Sequence, residues 1–231
     1  MKNFIHRDDI GDFEIPKRVE KDGNRYYVTP DGNHYPSITS VLSQQENLGL
    51  EAWKAKVGEK EAKRISRESA HLGTAVHQLA EFYLSNYIIK LENEDKKIVD
   101  TFNRLRFLLG NINNIVGLEI PLFSDVLRVA GTCDCIAEYN GRLSVIDFKT
   151  SRRPKKEEWV DNYWMQTYFY KLAFEEMTGI EIKQVVILIA CVDSFDVQVF
   201  KKPANESDVW LEKLMGIMKE NPHVANMQQQ L

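Results

Sequence analysis

The chain has 231 residues, of which 43% are hydrophobic and 28% are charged, and its formal net charge is −4. This length accommodates one large domain or a core with an appended lobe, and the composition is that of an ordinary globular protein. No apolar run approaches the roughly 20 residues of a membrane-spanning helix, and the acidic net charge taken alone disfavours a nucleic-acid partner.

The cysteines and the N-terminal sequence predict a location inside the cell. Three cysteines, Cys133, Cys135 and Cys191, are an odd number with a C-x-C spacing, which does not indicate a disulfide framework. Residues 1–17 lack the apolar core of a secretory signal peptide. We therefore expect a reducing, intracellular environment, no secretion and no membrane partner.

The N-terminal part of the chain predicts a hairpin followed by helices. Residues 25–29 have the pattern of a strand, and Pro30-Asp31-Gly32-Asn33 has that of its turn. A helix is expected to begin at Ser37, which suits an N-cap, and a charged helix is expected over residues 51–69.

Two more helices and a β-rich region are predicted next. Apolar residues at helical spacing over 73–91 predict a helix that begins after Gly73, and a third helix is expected at about 94–109. Asn140-Gly141 is a strong hairpin signal between the last two of three predicted strands, which cover residues 116–123, 126–138 and 142–149.

The last third of the sequence completes an α/β pattern. We predict a helix over residues 156–178, a strand over 183–192 that is buried on both faces, an edge strand over 195–201 and a helix over 206–220. This order indicates a mixed sheet flanked by helices. We expect residues 1–72 to form an N-terminal hairpin and helical lobe of the same domain as the core, residues 73–231.

Two aspartates and a lysine are the residues most suited to chemistry. Asp147 and Lys149 are two positions apart on a strand and point to the same face, and Asp134 lies on the strand before the hairpin turn. Carboxylate oxygens favour Mg²⁺ or Mn²⁺, and a lysine beside the ion stabilises developing negative charge, which suits a phosphodiester substrate. A surface ion pair would explain Asp147 and Lys149, but it would leave Asp134 unexplained.

Basic and aromatic residues near this group suggest contacts with phosphates and bases. Trp53 and Trp159 offer stacking surfaces for unpaired bases, although packing onto the sheet is an alternative for Trp159. A basic cluster over residues 54–67 is interleaved with acids and equally fits a solvated helix face. The residues expected to bind phosphates at the mouth of the site, without reading sequence, are Arg152, Arg153, Lys155 and Lys156.

These residues resemble the PD-(D/E)xK nuclease superfamily, with Asp147-Phe148-Lys149 supplying the D-x-K motif. The finer resemblance is to the RecB-like branch, and the segment 36–42 resembles the opening of its phage-type and mitochondrial genome maintenance exonucleases. It rests on four motifs in the expected order: Gly73–His77 on an upstream helix, Gly131-x-x-Asp134, Asp147–Thr150, and Gln166-x-x-x-Tyr170.

The resemblance implies a restriction-endonuclease-like fold, with a mixed central sheet, flanking helices and an N-terminal helical lobe over the active site. It implies that the metal ligands are His77, Asp134, Asp147 and the backbone carbonyl of Phe148. Lys149 would be the catalytic lysine, and Gln166 and Tyr170 would contact the site or the DNA backbone. Additional candidates are Glu119, as an acid near the site, and Glu81, as a hydrogen-bonding residue one turn after His77.

The activity implied by the resemblance is that of a Mg²⁺- or Mn²⁺-dependent DNA exonuclease. It would prefer single strands or DNA ends and act in recombination, repair or genome processing, in a bacterial cytoplasm or a phage-infected host. The alternatives are an oligomeric double-strand exonuclease and a catalytically inactive nucleic-acid-binding module. No iron–sulfur cluster is expected, because a four-cysteine set is missing. Because the chain has no P-loop motif, it is expected either to act alone or to rely on the motor of a partner, such as a helicase or recombination protein.

Overall fold

The computed structural model describes residues 3–11, 13–21, 24–44 and 48–220. The first strands in the described chain form a three-stranded antiparallel sheet in the order β1-β2-β3, made of β1 (Lys17–Lys21), β2 (Asn24–Val28) and β3 (His34–Pro36). The predicted strand at 25–29 and the turn after it are therefore confirmed. Residues 221–231, the end of the predicted core segment, lie outside the described residues.

Four helices follow this small sheet: α1 (Ile38–Ser43), α2 (Leu48–Val57), α3 (Glu59–Leu84) and α4 (Lys96–Leu109). Ser37 is the N-cap residue of α1, as predicted, and its backbone is extended. Its hydroxyl shares a hydrogen bond of 2.7 Å with that of Thr39 and does not cap a backbone N–H. The third predicted helix is confirmed as α4.

The prediction of separate helices at 51–69 and 73–91 is wrong. The break lies at Gly58, whose φ of 86° and ψ of 149° form a conformation reached essentially only by glycine. Gly73 instead lies inside the continuous helix α3, where an added Cβ would be 3.4 Å from the Thr150 hydroxyl oxygen. The division predicted between residues 72 and 73 thus falls within one helix.

The central sheet has five strands in the order β4-β5-β6-β7-β8. Its strands are β4 (Ile112–Ser124), β5 (Val129–Tyr139), β6 (Arg142–Ser151), β7 (Gln184–Cys191) and β8 (Val197–Pro203). All neighbouring pairs are antiparallel except β6 and β7, which are parallel. At the β5–β6 turn, Asn140 and Gly141 have φ values of 51° and 74°, as a tight hairpin turn requires.

Helices cover both faces of this sheet, so the predicted mixed α/β fold is confirmed. One face packs against α5 (Asp161–Thr178), α6 (Ser207–Glu220) and α1, and the other packs against α3 and α4. Every residue of β7 is buried, as its β-branched sequence predicted. None of the described helices is both long enough and apolar enough to span a bilayer.

The helix predicted over residues 156–178 begins later than expected. A short 3-10 helix over Glu157–Trp159 precedes α5, which starts at Asp161 and ends before Gly179, whose φ is 70°. Trp159 consequently lies outside the helix and is 56% exposed, so it does not pack onto the sheet. Trp164, by contrast, is buried in the core.

The N-terminal lobe packs against β5, the strand that carries Asp134. The hydroxyls of Tyr27 and Thr132 share a hydrogen bond of 2.9 Å, and the Tyr35 hydroxyl donates one of 2.5 Å to Asp125. Gly131, also on β5, permits a close approach of α1 and α5, because an added Cβ would lie 2.8 Å from Tyr170 Cε1 and 2.9 Å from Ile38 Cγ2. The glycine of the G-x-x-D motif is thus a packing requirement.

We predict that Gly131→Ala destabilises the protein by about 1–3 kcal/mol, because overpacking a filled core costs this much. Urea unfolding measures the change. The matched control is Gly216→Ala on α6, where an added Cβ meets no heavy atom within 4 Å. This control is expected to stabilise the protein by about 0.5–1 kcal/mol, since alanine is the better helix former. A Gly131→Ala protein as stable as the wild type would contradict the close packing of Tyr170 and Ile38.

Candidate active site

The site begins where the hydrogen-bonded pairing of β5 with β6 ends. The two strands are paired from Tyr139 and Arg142 up to Cys135 and Ile146. The next residues along the two strands are Asp134 and Asp147. Asp134 Oδ2 accepts a hydrogen bond of 2.7 Å from the backbone N–H of Phe148. The two aspartates are therefore neighbours at the point where the strands part, as the hairpin predicted.

Glu119 extends this pair of acids to a row across three strands. On β4, the partners of Cys135 and Cys133 are Leu118 and Ile120, which places Glu119 beside Asp134. The φ of Glu119 is 49°, in the left-handed region that non-glycine residues seldom occupy. The irregular backbone of β4 therefore lies at the point where Glu119 joins Asp134 and Asp147.

His77 reaches the same point from α3, and Nδ1 of its imidazole is 3.5 Å from Asp134 Oδ1. His77, Glu119 and Asp134 each offer a ligand atom, and these atoms lie within 4.8 Å of one another. The ring of His77 packs edge-on against that of Phe148, with 6.1 Å between the centroids. A residue that the sequence proposed only as an additional candidate, Glu119, therefore completes this group of three.

Asp147 lies beside the group and forms an ion pair with Lys149. The Asp147 side chain is 1% exposed and that of Lys149 is 18% exposed, so the alternative of a surface ion pair is wrong. Among the described residues, no other group donates a hydrogen bond to either Asp147 oxygen. The Lys149 ammonium also lies 5.1 Å from the centroid of the Tyr163 ring.

Because these acids are buried close together, their pKa values are shifted in different directions. Burial, reinforced by the charge of Asp134, raises the pKa of Glu119 to about 7. Burial also raises the pKa of Asp147, despite the opposing charge of Lys149. Burial has the same tendency at Asp134, but the charge of His77 outweighs it and the net pKa of Asp134 is lowered. Burial disfavours the protonated imidazole of His77, yet Asp134 raises its net pKa.

The donor set fits a hard divalent cation. Carboxylate oxygens and one imidazole suit Mg²⁺ or Mn²⁺, and a buried carboxylate with an unfilled acceptor oxygen, such as Asp147, calls for a further positive group. His77, Glu119 and Asp134 are close enough to hold one ion together, with Asp147 next to them. Ligation by Asp147 and by the Phe148 carbonyl stays a prediction.

The Q-x-x-x-Y spacing on α5 places Gln166 and Tyr170 on one face of that helix. Gln166 Nε2 donates a hydrogen bond of 3.3 Å to the Tyr170 hydroxyl, and the Tyr170 ring lies against Gly131. Tyr163 precedes Gln166 by three residues, so it lies on the same face. Tyr163 was not among the predicted site residues, although this spacing was a signal that could have found it.

The residues predicted to bind DNA have different surroundings. Arg152 and Lys155 line a cleft beside the site, and Arg152 pairs with Asp193 at 2.9 Å. Arg153 and Lys156 are exposed, and the Lys156 ammonium lies over the Trp159 ring. Trp53 lies half-buried on α2. Glu81 is outside the group of three, but its charge contributes to the raised pKa of Glu119. The DNA-binding roles stay predictions.

Known proteins resemble this chain over more than half of its length. It is 30% and 31% identical to mitochondrial genome maintenance exonuclease 1 of Mus musculus and Homo sapiens, over 131 and 132 residues. These alignments cover 53% of the chain and 39% and 38% of the two proteins, so the chain spans about two fifths of the length of these curated relatives. It is also 24% identical over 140 residues to an ATP-dependent helicase/nuclease subunit of Clostridium kluyveri, covering 59% of the chain and 10% of that protein.

The model of one protein family matches residues 90–230, which include the row of acids, Lys149 and α5. This match covers more than half of the chain and agrees with the D-x-K resemblance and with the five-stranded mixed sheet. The chain belongs to the PD-(D/E)XK nuclease superfamily.

Proposed function

We propose that this nuclease is a divalent-metal-dependent DNA exonuclease that prefers single strands or DNA ends. The observation that carries the proposal is the buried Asp147–Lys149 pair beside the group formed by His77, Glu119 and Asp134. The names of the relatives from mouse and human, which are exonucleases, support the same activity. Recombination, repair or genome processing inside a cell is the setting we propose for it.

In this proposal the acids and the imidazole hold the cation. His77, Glu119, Asp134 and Asp147 would bind it, and the bound ion supplies a Lewis acid for a phosphoryl oxygen and a water of lowered pKa. Asp134 is fixed for this task by the Phe148 N–H, and its charge is maintained by the neighbouring His77.

Lys149 supplies a positive charge at a fixed place. Its ammonium group is held by Asp147 on one side and by the face of the Tyr163 ring on another. An ammonium group held in this way orients a water molecule and stabilises the negative charge that develops on the phosphate. Because the Lys149 ammonium is already in place, it does not have to be repositioned during the reaction.

A partner that unwinds or delivers DNA is part of the proposal. The relative from Clostridium kluyveri is named as part of an ATP-dependent helicase/nuclease. We propose that this chain supplies the nuclease activity and that a helicase or recombination protein presents the DNA strand to it.

We predict that the protein degrades linear single-stranded DNA when Mg²⁺ or Mn²⁺ is added and does not do so in a chelator. Asp147→Asn and Lys149→Ala should each lower turnover by at least about 100-fold, because a fixed charge at the reacting group contributes this much. End-labelled linear and closed circular single strands separate exonuclease from endonuclease action. Matched controls are Asp208→Asn and Lys219→Ala, which change exposed residues of α6 outside the candidate site.

Equal cleavage of circles and linear strands would contradict exonuclease action. Retained turnover in Asp147→Asn or Lys149→Ala would mean that the site is elsewhere. A strong preference for duplex ends, together with a molecular mass in solution that indicates a ring-shaped oligomer, would favour the double-strand exonuclease. DNA binding without cleavage in the presence of either ion would favour the inactive module.

A further prediction concerns the cation itself. Isothermal titration of the metal-free protein with Mn²⁺ should show binding that His77→Ala, Glu119→Gln and Asp134→Asn each weaken by at least about tenfold, since even groups outside the ligand shell contribute 10–100-fold. His71→Ala is the matched control, because His71 is an exposed histidine on the same helix. Unchanged affinity in Glu119→Gln would remove Glu119 from the ligand set.

A further inference from the structure

A cleft of about 1400 Å³ opens beside the candidate active site. Its walls are the N-terminal half of α3, the start of α4 and the segment after β6. Thr150 and Tyr163 lie at its inner end, where Thr150 follows Lys149 and the Tyr163 ring faces the Lys149 ammonium. The cleft exceeds the ~300–1,000 Å³ of small-molecule pockets, which favours an extended ligand.

The cleft carries positive charge that the acidic side chains of the described residues do not fully pair. Six basic and five acidic side chains line it, in a chain whose net charge is −4. Most are matched: Arg64 pairs with Glu61 and Glu68, Lys96 with Asp100, and Arg152 with Asp193. The fifth acid, Asp95, caps α4 by accepting a hydrogen bond from the Lys97 backbone N–H.

Three cations remain, Arg67, Lys97 and Lys155, and none of the carboxylates described in the structure pairs with their side chains. Arg67 and Lys97 are exposed, and Lys155 is half-buried with its backbone held by hydrogen bonds to Gln198. These three residues come from three different walls of the cleft. Their charges are therefore free to bind an anion that extends along it.

The position of Lys97 does not serve the stability of its helix. Lys96 and Lys97 occupy the first turn of α4, which has no acidic residue. The helix dipole disfavours cations at this end of a helix. A cation kept there against the local preference suits the binding of an external anion.

The continuous helix α3 connects the cleft with the reactive centre. Arg67 lies in the cleft, and His77 lies in the group of candidate ligands ten residues later, which is about 15 Å along the axis of a helix. Both residues are carried by one uninterrupted helix. A chain of phosphates bound near Arg67 is thus held at a fixed distance from the site.

We propose that this cleft holds the phosphodiester backbone of a single DNA strand next to the reactive centre, with Arg67, Lys97 and Lys155 as its phosphate-binding residues. The occupant is a single strand because a flexible backbone can follow a cleft between two helices, whereas a duplex is stiff over about 150 base pairs. The proposal rests on the nuclease function proposed above. Within the basic cluster over residues 54–67, the proposal assigns a DNA-binding role to Arg67.

The test is the salt dependence of binding to a fluorescein-labelled oligothymidylate, followed by fluorescence anisotropy in a chelator so that the strand stays intact. Arg67→Gln, Lys97→Gln and Lys155→Gln should each weaken binding several-fold at low salt. Each should also reduce the slope of log affinity against log salt by about 0.7, the value for one phosphate contact on a single strand. Arg67→Lys should restore the slope.

Turnover on the same strand with Mg²⁺ provides a second measurement. The three variants should raise KM and leave kcat at saturating strand unchanged, because the cleft holds the strand and Lys149 acts on it. Lys219→Gln on α6 is the matched control and should leave both the slope and KM as in the wild type. Equal urea midpoints for all variants verify that they are folded.

The outcomes separate the two proposals. A wild-type protein that cuts DNA, with cleft variants that match Lys219→Gln in slope and KM, would overturn the cleft as the DNA track and leave the nuclease function intact. A wild-type protein that neither binds the strand nor cuts it with Mg²⁺ or Mn²⁺ would overturn the proposed function itself.

Discussion

The hydrogen bond from the Phe148 N–H to Asp134 is the interaction on which the candidate site depends. A strand pair that separates inside a sheet leaves backbone groups without partners, and buried groups of this kind are costly. Here the Asp134 carboxylate takes the place of a backbone acceptor just beyond the last paired residues of β5 and β6. The strands can therefore part where Asp147 begins, and His77 can approach the gap from α3.

The burial of Asp147 with Lys149 is explained by chemistry better than by stability. Removing two charges from water costs several kcal/mol per ion, and a buried pair seldom recovers more than an apolar pair would. Most of the other buried side chains on both faces of the surrounding sheet are apolar. An unfilled oxygen on Asp147 and a lysine held against the Tyr163 ring are features of a site prepared for a charged ligand.

Local sequence patterns predicted the strands, the Asn140-Gly141 turn and the acids, because each depends on neighbouring residues. The role of Gly73 could not be read in this way. A glycine that permits close approach to Thr150 has the same local signature as one that ends a helix, and the actual break at Gly58 depends on its φ of 86°. Glu119 was equally hard to place, because the register of β4 shifts between Asn113 and Gly117.

Because α3 is continuous, one helix joins the two predicted segments, residues 1–72 and 73–231. A boundary at residue 72 would separate the cleft, with Arg67, from His77. Because one helix carries both, a displacement of its N-terminal half would be transmitted to the imidazole beside Asp134. The break at Gly58 lies before α3, so the distance from Arg67 to His77 is set within one uninterrupted helix. In the proposed function, strand binding by Arg67 and metal binding by His77 therefore share one uninterrupted helix.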